Sequence, residues 1–327
     1  MNKIHFSYNM LHSPNKVLKT YLVTTLMACS LLANAQEGST GYQFLEIPTS
    51  AHAAALGGNN ISIIEDDASL LFTNPALTVN TSDKTLNLNY ASYISSTNKL
   101  SASFVKHMGE RGTWAFGAQL LNYGDMIETD ADFNTTGEFS AKDIDIQAGY
   151  AYMFTDYLSG GVQGKVLLSN YGEFNSTAIA VDLGLNYYLP ERGWSFSIVA
   201  QNLGGQIDAL YETHEKMPFN LALGVSKDFE NAPIRLSITF DKLTDWNVKK
   251  PIHHLTFGAD IFPSSTTWVA IGINPRRSNE MKIQDSSHWA GVSLGAGLSL
   301  KKIKIGLAYG KYHVAASSLL INASYAF

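Results

Sequence analysis

A single cysteine, few charges and no long apolar run mark this 327-residue chain. Cys29 stands alone, so neither a disulfide framework nor a cysteine metal site can form within the chain. Charged residues make up 16%, below the usual quarter of a soluble domain. No lysine or arginine run is long enough to track a phosphate backbone, and the formal net charge is −5, so nucleic acid is excluded as a partner. The longest apolar stretch, 21–32, falls short of the roughly 20 residues that a membrane helix needs. Catalytic signatures are missing as well: there is no HExxH, GxSxG, P-loop or dinucleotide fingerprint, and the chain reads as a non-enzyme with no cofactor. His253-His254 is expected at a strand start, where neighbours face opposite ways and cannot easily share a metal. Asp241, Asp245 and Asp260 are spread over strand ends and read as solvated or lumen-lining acids, and Trp246 and Trp289 as members of an aromatic belt.

What is present points to strands. Hydrophobic residues reach 45%, yet the mean hydropathy is only −0.04, and 16 Tyr, 16 Phe and 26 Gly favour strands and tight turns. That balance suits a barrel whose strands alternate lipid-facing and lumen-facing side chains. Ile179, Val181, Leu183, Leu185 and Tyr187 share one face, with Ala180, Asp182, Gly184 and Asn186 on the other. Ile303, Ile305, Leu307 and Tyr309 alternate in the same way with Lys304, Gly306 and Ala308.

About fourteen such strands are expected, starting near residues 85, 99, 113, 143, 158, 177, 194, 219, 234, 253, 267, 289, 302 and 317. Their connections alternate in length. Short turns fall at 109–112, 155–157, 190–193, 230–233, 263–266 and 301–302, and long ones at 124–142, 204–218, 243–252 and 274–288. Short periplasmic turns and long outer loops are characteristic of a transmembrane barrel. The chain ends in an alternating strand, with Tyr325 and Phe327 resembling the terminal aromatic signal read by the barrel assembly machinery. The expected architecture is therefore all-β: a fourteen-stranded antiparallel transmembrane β-barrel over 85–327, preceded by a hatch over 36–84 and a leader over 1–35.

The leader carries Lys3, Lys16 and Lys19 and no acid, then the apolar run, then Ala33-Asn34-Ala35, an A-x-A site. Removing it takes the formal charge from −5 to −8. Either Met1 or Met10 could be the start. A lipoprotein leader ending at Cys29 is disfavoured, because the residues after it remain apolar. The intact mass of the purified protein is expected to match a chain beginning at Gln36; a retained leader, or a lipid on Cys29, would contradict this.

The hatch carries the chain's most specific motifs. Tyr42-Gln43-Phe44-Leu45, Pro48-Thr49-Ser50, Ala53-Ala54-Ala55-Leu56-Gly57-Gly58-Asn59, Asp66-Asp67 and Asn74-Pro75-Ala76 follow one another within 36 residues. Gly57 and Gly58 suit unusual backbone conformations or close approaches, Asn74-Pro75 a turn into the first strand, and Asp66 and Asp67 either pairing with lumen cations or capping a short helix. Together these motifs resemble the N-terminal hatch of the long-chain fatty-acid transporter family of barrels, and in particular its PorV/PorQ branch, which serves the type IX secretion system. The likeness includes Leu203-Gly204 after a strand ending in Asn202, and Lys311-Tyr312-His313 near the end. It departs at His52, where the branch usually has an arginine.

The resemblance implies a non-enzymatic barrel in the bacterial outer membrane that anchors surface partners of an attachment complex while secreted cargo is processed and attached. The partners implied are a PorZ-like surface protein, a PorU-like sortase, a PorV-like barrel and, through lipid attachment, lipopolysaccharide. The alternative is an outer-membrane channel for hydrophobic small molecules, which would need an open, apolar path past the hatch. Loops are where rigid scaffolds place recognition, and 274–288 carries the basic cluster Arg276, Arg277 and Lys282, suited to an acidic protein surface or to lipopolysaccharide phosphates, or else simply solvated.

Overall fold

A computed structural model of the chain describes residues 40–93, 97–130, 132, 134–209, 214–246, 250–280, 290–311 and 317–327. The leader and Lys282, Trp289 and residues 312–316 lie outside the described residues. Fourteen antiparallel strands run in chain order: β1 (Thr85–Ser92), β2 (Asn98–Met108), β3 (Gly112–Thr129), β4 (Thr135–Met153), β5 (Leu158–Tyr171), β6 (Phe174–Leu189), β7 (Trp194–Asp208), β8 (Asn220–Asp228), β9 (Ile234–Phe240), β10 (Leu255–Ser264), β11 (Thr267–Ile273), β12 (Val292–Leu300), β13 (Ile303–Gly310) and β14 (Ser318–Ala326). Each pairs with its neighbours in sequence, and β14 pairs back onto β1 to close the barrel.

The alternation in the sequence decides which way each side chain faces. Along β6, Ile179, Val181, Leu183 and Leu185 are 40–50% exposed on the outside, while Asp182 and Asn186 are buried inside. Outward aromatic residues gather toward the short turns. Trp114 lies 5.1 Å from Tyr150, Tyr157 is 6.4 Å from Tyr187, Trp194 is 5.7 Å from Phe196, and Tyr325 is 5.0 Å from Phe327. This is the interfacial girdle of a barrel in lipid. No described helix is long and apolar enough to cross a membrane. A sheet with an apolar exterior that closes on itself pairs its backbone groups within the hydrocarbon.

The strand ends differ from the sequence expectation on the long-loop side. Much of 124–142 is strand, since β3 continues to Thr129 and β4 begins at Thr135. Similarly, β7 runs on to Asp208, so Asn202 does not end it. Asn202 instead sits at φ 59 in a bulge between the pairs Val181↔Leu203 and Leu183↔Ala200, where its N–H donates to Asp182 Oδ1 at 2.7 Å. A bulge inserts one unpaired residue and flips the alternation beyond it, which makes a continuing strand look like a loop. His253 and His254 lie in a short 3-10 turn (Pro251–His254) ahead of β10 and not in the strand itself.

Candidate functional site: the hatch in the lumen

The hatch is built from small local elements that cannot hold themselves together. Ser50 accepts from the Ala53 N–H to cap a five-residue helix, α1 (Ala51–Ala55). Gly57 and Gly58, both at φ 101, end it, with the Gly58 N–H donating to Ala53 O at 2.9 Å. This left-handed backbone is open to glycine at little steric cost. Asp67 accepts from the Ser69 N–H at 2.8 Å to start the 3-10 turn Ala68–Phe72. Asn74, ahead of Pro75, does the same for the turn Pro75–Asn80, accepting from the Ala76 N–H at 3.0 Å. Asn74 also donates to Ile61 O, so one side chain ties two hatch segments together.

The barrel supplies the rest of the core. Ala54, Ala55, Leu56, Ile63, Leu70 and Leu77 of the hatch pack with Ala91, Ala270, Ala308 and Leu320 of the wall. Wall glycines let the two backbones touch: a Cβ on Gly272 would lie 2.0 Å from the Gly57 nitrogen, and one on Gly184 would lie 2.1 Å from Asn74 Oδ1. Serines of the wall satisfy the hatch backbone. Ser293 accepts from the Gly57 N–H at 3.0 Å and donates to Ala55 O at 2.9 Å, and Ser226 donates to Ser62 O at 2.7 Å.

At the centre lies a buried charge network. His52 Nδ1 is 2.5 Å from Glu65 and Nε2 is 2.7 Å from Asp260 on β10, while the ring stacks on Trp268 at 3.8 Å. Arg235 on β9 donates to Asp260 at 2.7 Å and to Ile64 O at 3.3 Å. Burial opposes the imidazolium, but the flanking carboxylates outweigh it and push the His52 pKa up to about 9. The Glu65 carboxyl is in turn held below its ordinary range: burial acts the other way, and the His52 charge overcomes it. His52 is thus a cation joining hatch to wall, the role an arginine would fill.

Further contacts line the path from end to end. Near the outer mouth, the Gly41 N–H donates to Lys216 O at 3.0 Å, Glu46 pairs with Lys242 at 2.6 Å, and Lys99 Nζ donates to Ile47 O at 2.6 Å. At the periplasmic end Asp66 pairs with Lys304, and Asp67 accepts from Asn87 of β1 at 2.6 Å. Arg276 and Arg277 belong to α2 (Pro275–Glu280), where Arg277 donates to Gly57 O at 3.3 Å. The basic cluster expected to face outward therefore turns partly onto the hatch. Trp246 lies in the outer connection after β9, stacked on His254 at 4.6 Å.

Two cavities lie between hatch and wall. One of about 120 Å³ at the outer mouth is lined by Thr49, Lys165, Asn202, Asp241, Arg276 and Arg277 among others. The other, about 250 Å³ toward the periplasm, is lined by residues including Glu65, Asp66, Arg235 and Lys304. Among the described residues no group of three or more His, Cys, Asp or Glu could hold a metal ion. The sequence points to the hatch motifs and to Asp260 as a lumen-lining acid, but not to the other receptors: Arg235, Ser293, Gly272 and Trp268 carry no local signal.

No family model and no curated protein matches the chain. Solved structures do. The toluene transporter TodX of Pseudomonas putida superposes with a TM-score of 0.54 at 13% identity, covering 85% of this chain and 97% of that one. The CymD monoaromatic hydrocarbon channel gives 0.55 at 13% identity, covering 86% and 98%. A Pseudomonas aeruginosa FadL homologue gives 0.52 at 12% identity, covering 86% and 99%. At such identities the likeness is one of fold. The protein is a transmembrane β-barrel of the outer-membrane type. Within that class its architecture is FadL-like, fourteen strands closed around an N-terminal hatch.

Proposed function

We propose that this barrel is a non-enzymatic outer-membrane component of type IX secretion, of the PorQ kind, that holds surface partners of the attachment complex. The carrying observation is the state of the lumen. The hatch runs from the outer mouth to the periplasmic end, tied to the wall by ion pairs and hydrogen bonds; the outer cavity beside it is lined mainly by charged and amide groups, and the inner one mixes Glu65, Asp66, Arg235 and Lys304 with Ile64, Phe262, Trp268 and Leu298. A hydrophobic solute passing there would strip water and partners from those groups without replacing them. The hatch motifs from Tyr42 to Ala76 support the PorQ assignment by resemblance.

A second reading, a channel for hydrophobic small molecules, is favoured by the solved barrels, which are named as hydrocarbon transporters and channels. An apolar groove of about 660 Å³ on the lipid-facing wall, floored by Ala102, Ala118 and Ala323, agrees with it. One experiment separates the two. Exchanging 274–288 for a short Gly-Ser turn is expected to leave the barrel assembled and to release a surface partner into the medium several-fold over the parent. Unchanged retention, together with loss of hydrophobic-solute uptake when Ala54 is replaced by phenylalanine, would put the channel reading in its place.

A further inference from the structure

The two longest strands extend well past the rest of the wall. β3 and β4 have 18 and 19 residues, whereas about 9–11 suffice to cross a bilayer with the usual tilt. Their other neighbours stop short: β2 pairs with β3 only as far as Asn98↔Asn122, and β5 with β4 only as far as Ala141↔Tyr171. Beyond those points, from Asp125↔Ser140 to Thr129↔Thr135, the two strands pair only with each other. Among the described residues, each therefore turns one backbone edge toward no other strand.

This ribbon is ordered by its own chemistry. At its tip the Asp130 N–H donates to Asn134 O at 3.0 Å, and Asp130 Oδ1 accepts from the Asp132 and Asn134 N–H groups at 2.9 and 2.8 Å. At its base the Gly172 N–H donates to Ser140 O at 3.1 Å. A bulge between Asn122 and Asp125 turns Asp125 and Ile127 onto the face that carries Glu138, and Ile127 is 65% exposed there.

The charge is one-sided. Residues 124–140 hold Asp125, Glu128, Asp130, Asp132 and Glu138 and no lysine or arginine. Exposed edges are commonly guarded by lysine, which would also hold the ribbon against an anionic lipid leaflet. Acids do the reverse: they keep the ribbon off that leaflet and attract a cationic strand. We propose that the β3–β4 ribbon is a docking edge for a lysine- or arginine-rich extended segment of a surface protein, which adds to it as a further strand. The backbone edge supplies affinity and the acids select the partner. The proposal rests on the scaffold reading above and names where and how a partner is gripped.

The test uses the purified full-length barrel in detergent and two ten-residue peptides, one alternating lysine with valine and one alternating glutamate with valine. The lysine peptide is expected to bind at least tenfold more tightly, to lose that advantage at high salt, and to slow amide exchange at 125–129 or 135–139. The combined variant Asp125→Asn, Glu128→Gln, Asp132→Asn and Glu138→Gln, with the turn-closing Asp130 kept, is expected to abolish the preference while remaining a folded, heat-modifiable barrel. Equal binding of both peptides, or protection confined to other segments, overturns the proposal and leaves the acids as edge guards. In cells, if this variant keeps its surface partner while the 274–288 exchange releases it, the ribbon site fails and the scaffold reading stands.

Discussion

Replacing His52 with alanine is expected to loosen the hatch around α1 and to destabilise the folded barrel by about 3–5 kcal/mol, the usual cost of removing one partner from a buried charged cluster. The substitution leaves Glu65 and Asp260 facing one another with Arg235 alone to balance them. The same contact predicts a pH dependence. The folded pKa of His52, about 9, lies above the ordinary histidine value of 6.5, so its contribution is fully present below pH 6.5 and is lost as pH rises through 9. That contribution amounts to roughly 3 kcal/mol. Urea midpoints in detergent between pH 7 and 10 should therefore fall for the parent protein and stay nearly level for His52→Arg, which keeps its charge throughout. Protease accessibility of the hatch, followed in parallel, reports whether the segment itself comes loose. Parallel pH profiles for the two proteins would refute the role given to His52.

Deleting Tyr325 to Phe327 is expected to abolish the assembled barrel altogether. Tyr325 pairs with Leu86 across the seam and with Ile303 on the other side, the Ala326 N–H donates to Lys302 O at 2.9 Å, and the Phe327 N–H donates to Lys84 O at 3.3 Å. Without them the end of β1 becomes an open edge in lipid, where unpaired backbone groups cost several kcal/mol each. The seam is also knit on the lumen side, where Asn322 donates to Asn89 and Asn87 at 2.7 and 3.0 Å. The measurement is the yield of heat-modifiable protein in the outer membrane. Recovery of the truncated chain at parental yield would show that its last residues neither close the wall nor direct insertion.

How far the fold could be read in advance varied along the strands for a physical reason. Within the bilayer one face of every strand must be apolar, so alternation is enforced and the fourteen strands are legible, as along Ile303, Ile305 and Leu307. Beyond the membrane that constraint lapses. The outer end of β3, with Asp125, Glu128 and Thr129 all exposed, carries no apolar face, and the bulge before it shifts the pattern by one residue. The hatch was conspicuous in its glycines, alanines and Asn74-Pro75, but its receptors were hidden because they lie far away in sequence. His52 meets Asp260 across 208 residues and Gly57 meets Ser293 across 236. Arg277 was read as a group for an external partner, whereas it also holds a carbonyl of the hatch.

The placement of the hatch also governs the order of assembly. Its helix α1 lies against β11, β12, β13 and β14, and its last turn (Pro75–Asn80) against β3, β4, β5 and β6, so it bridges both flanks of the seam. Asp67 grips Asn87, which in turn takes a hydrogen bond from Asn322 of the last strand. Contacts of such long sequence separation form late, after the loops that join them have been closed. A finished cylinder could not be threaded by a segment fixed at so many points along its length. A wall that closes at β1 and β14 around the hatch meets no such obstacle, and in that order of assembly the plug serves as a mandrel for the cylinder.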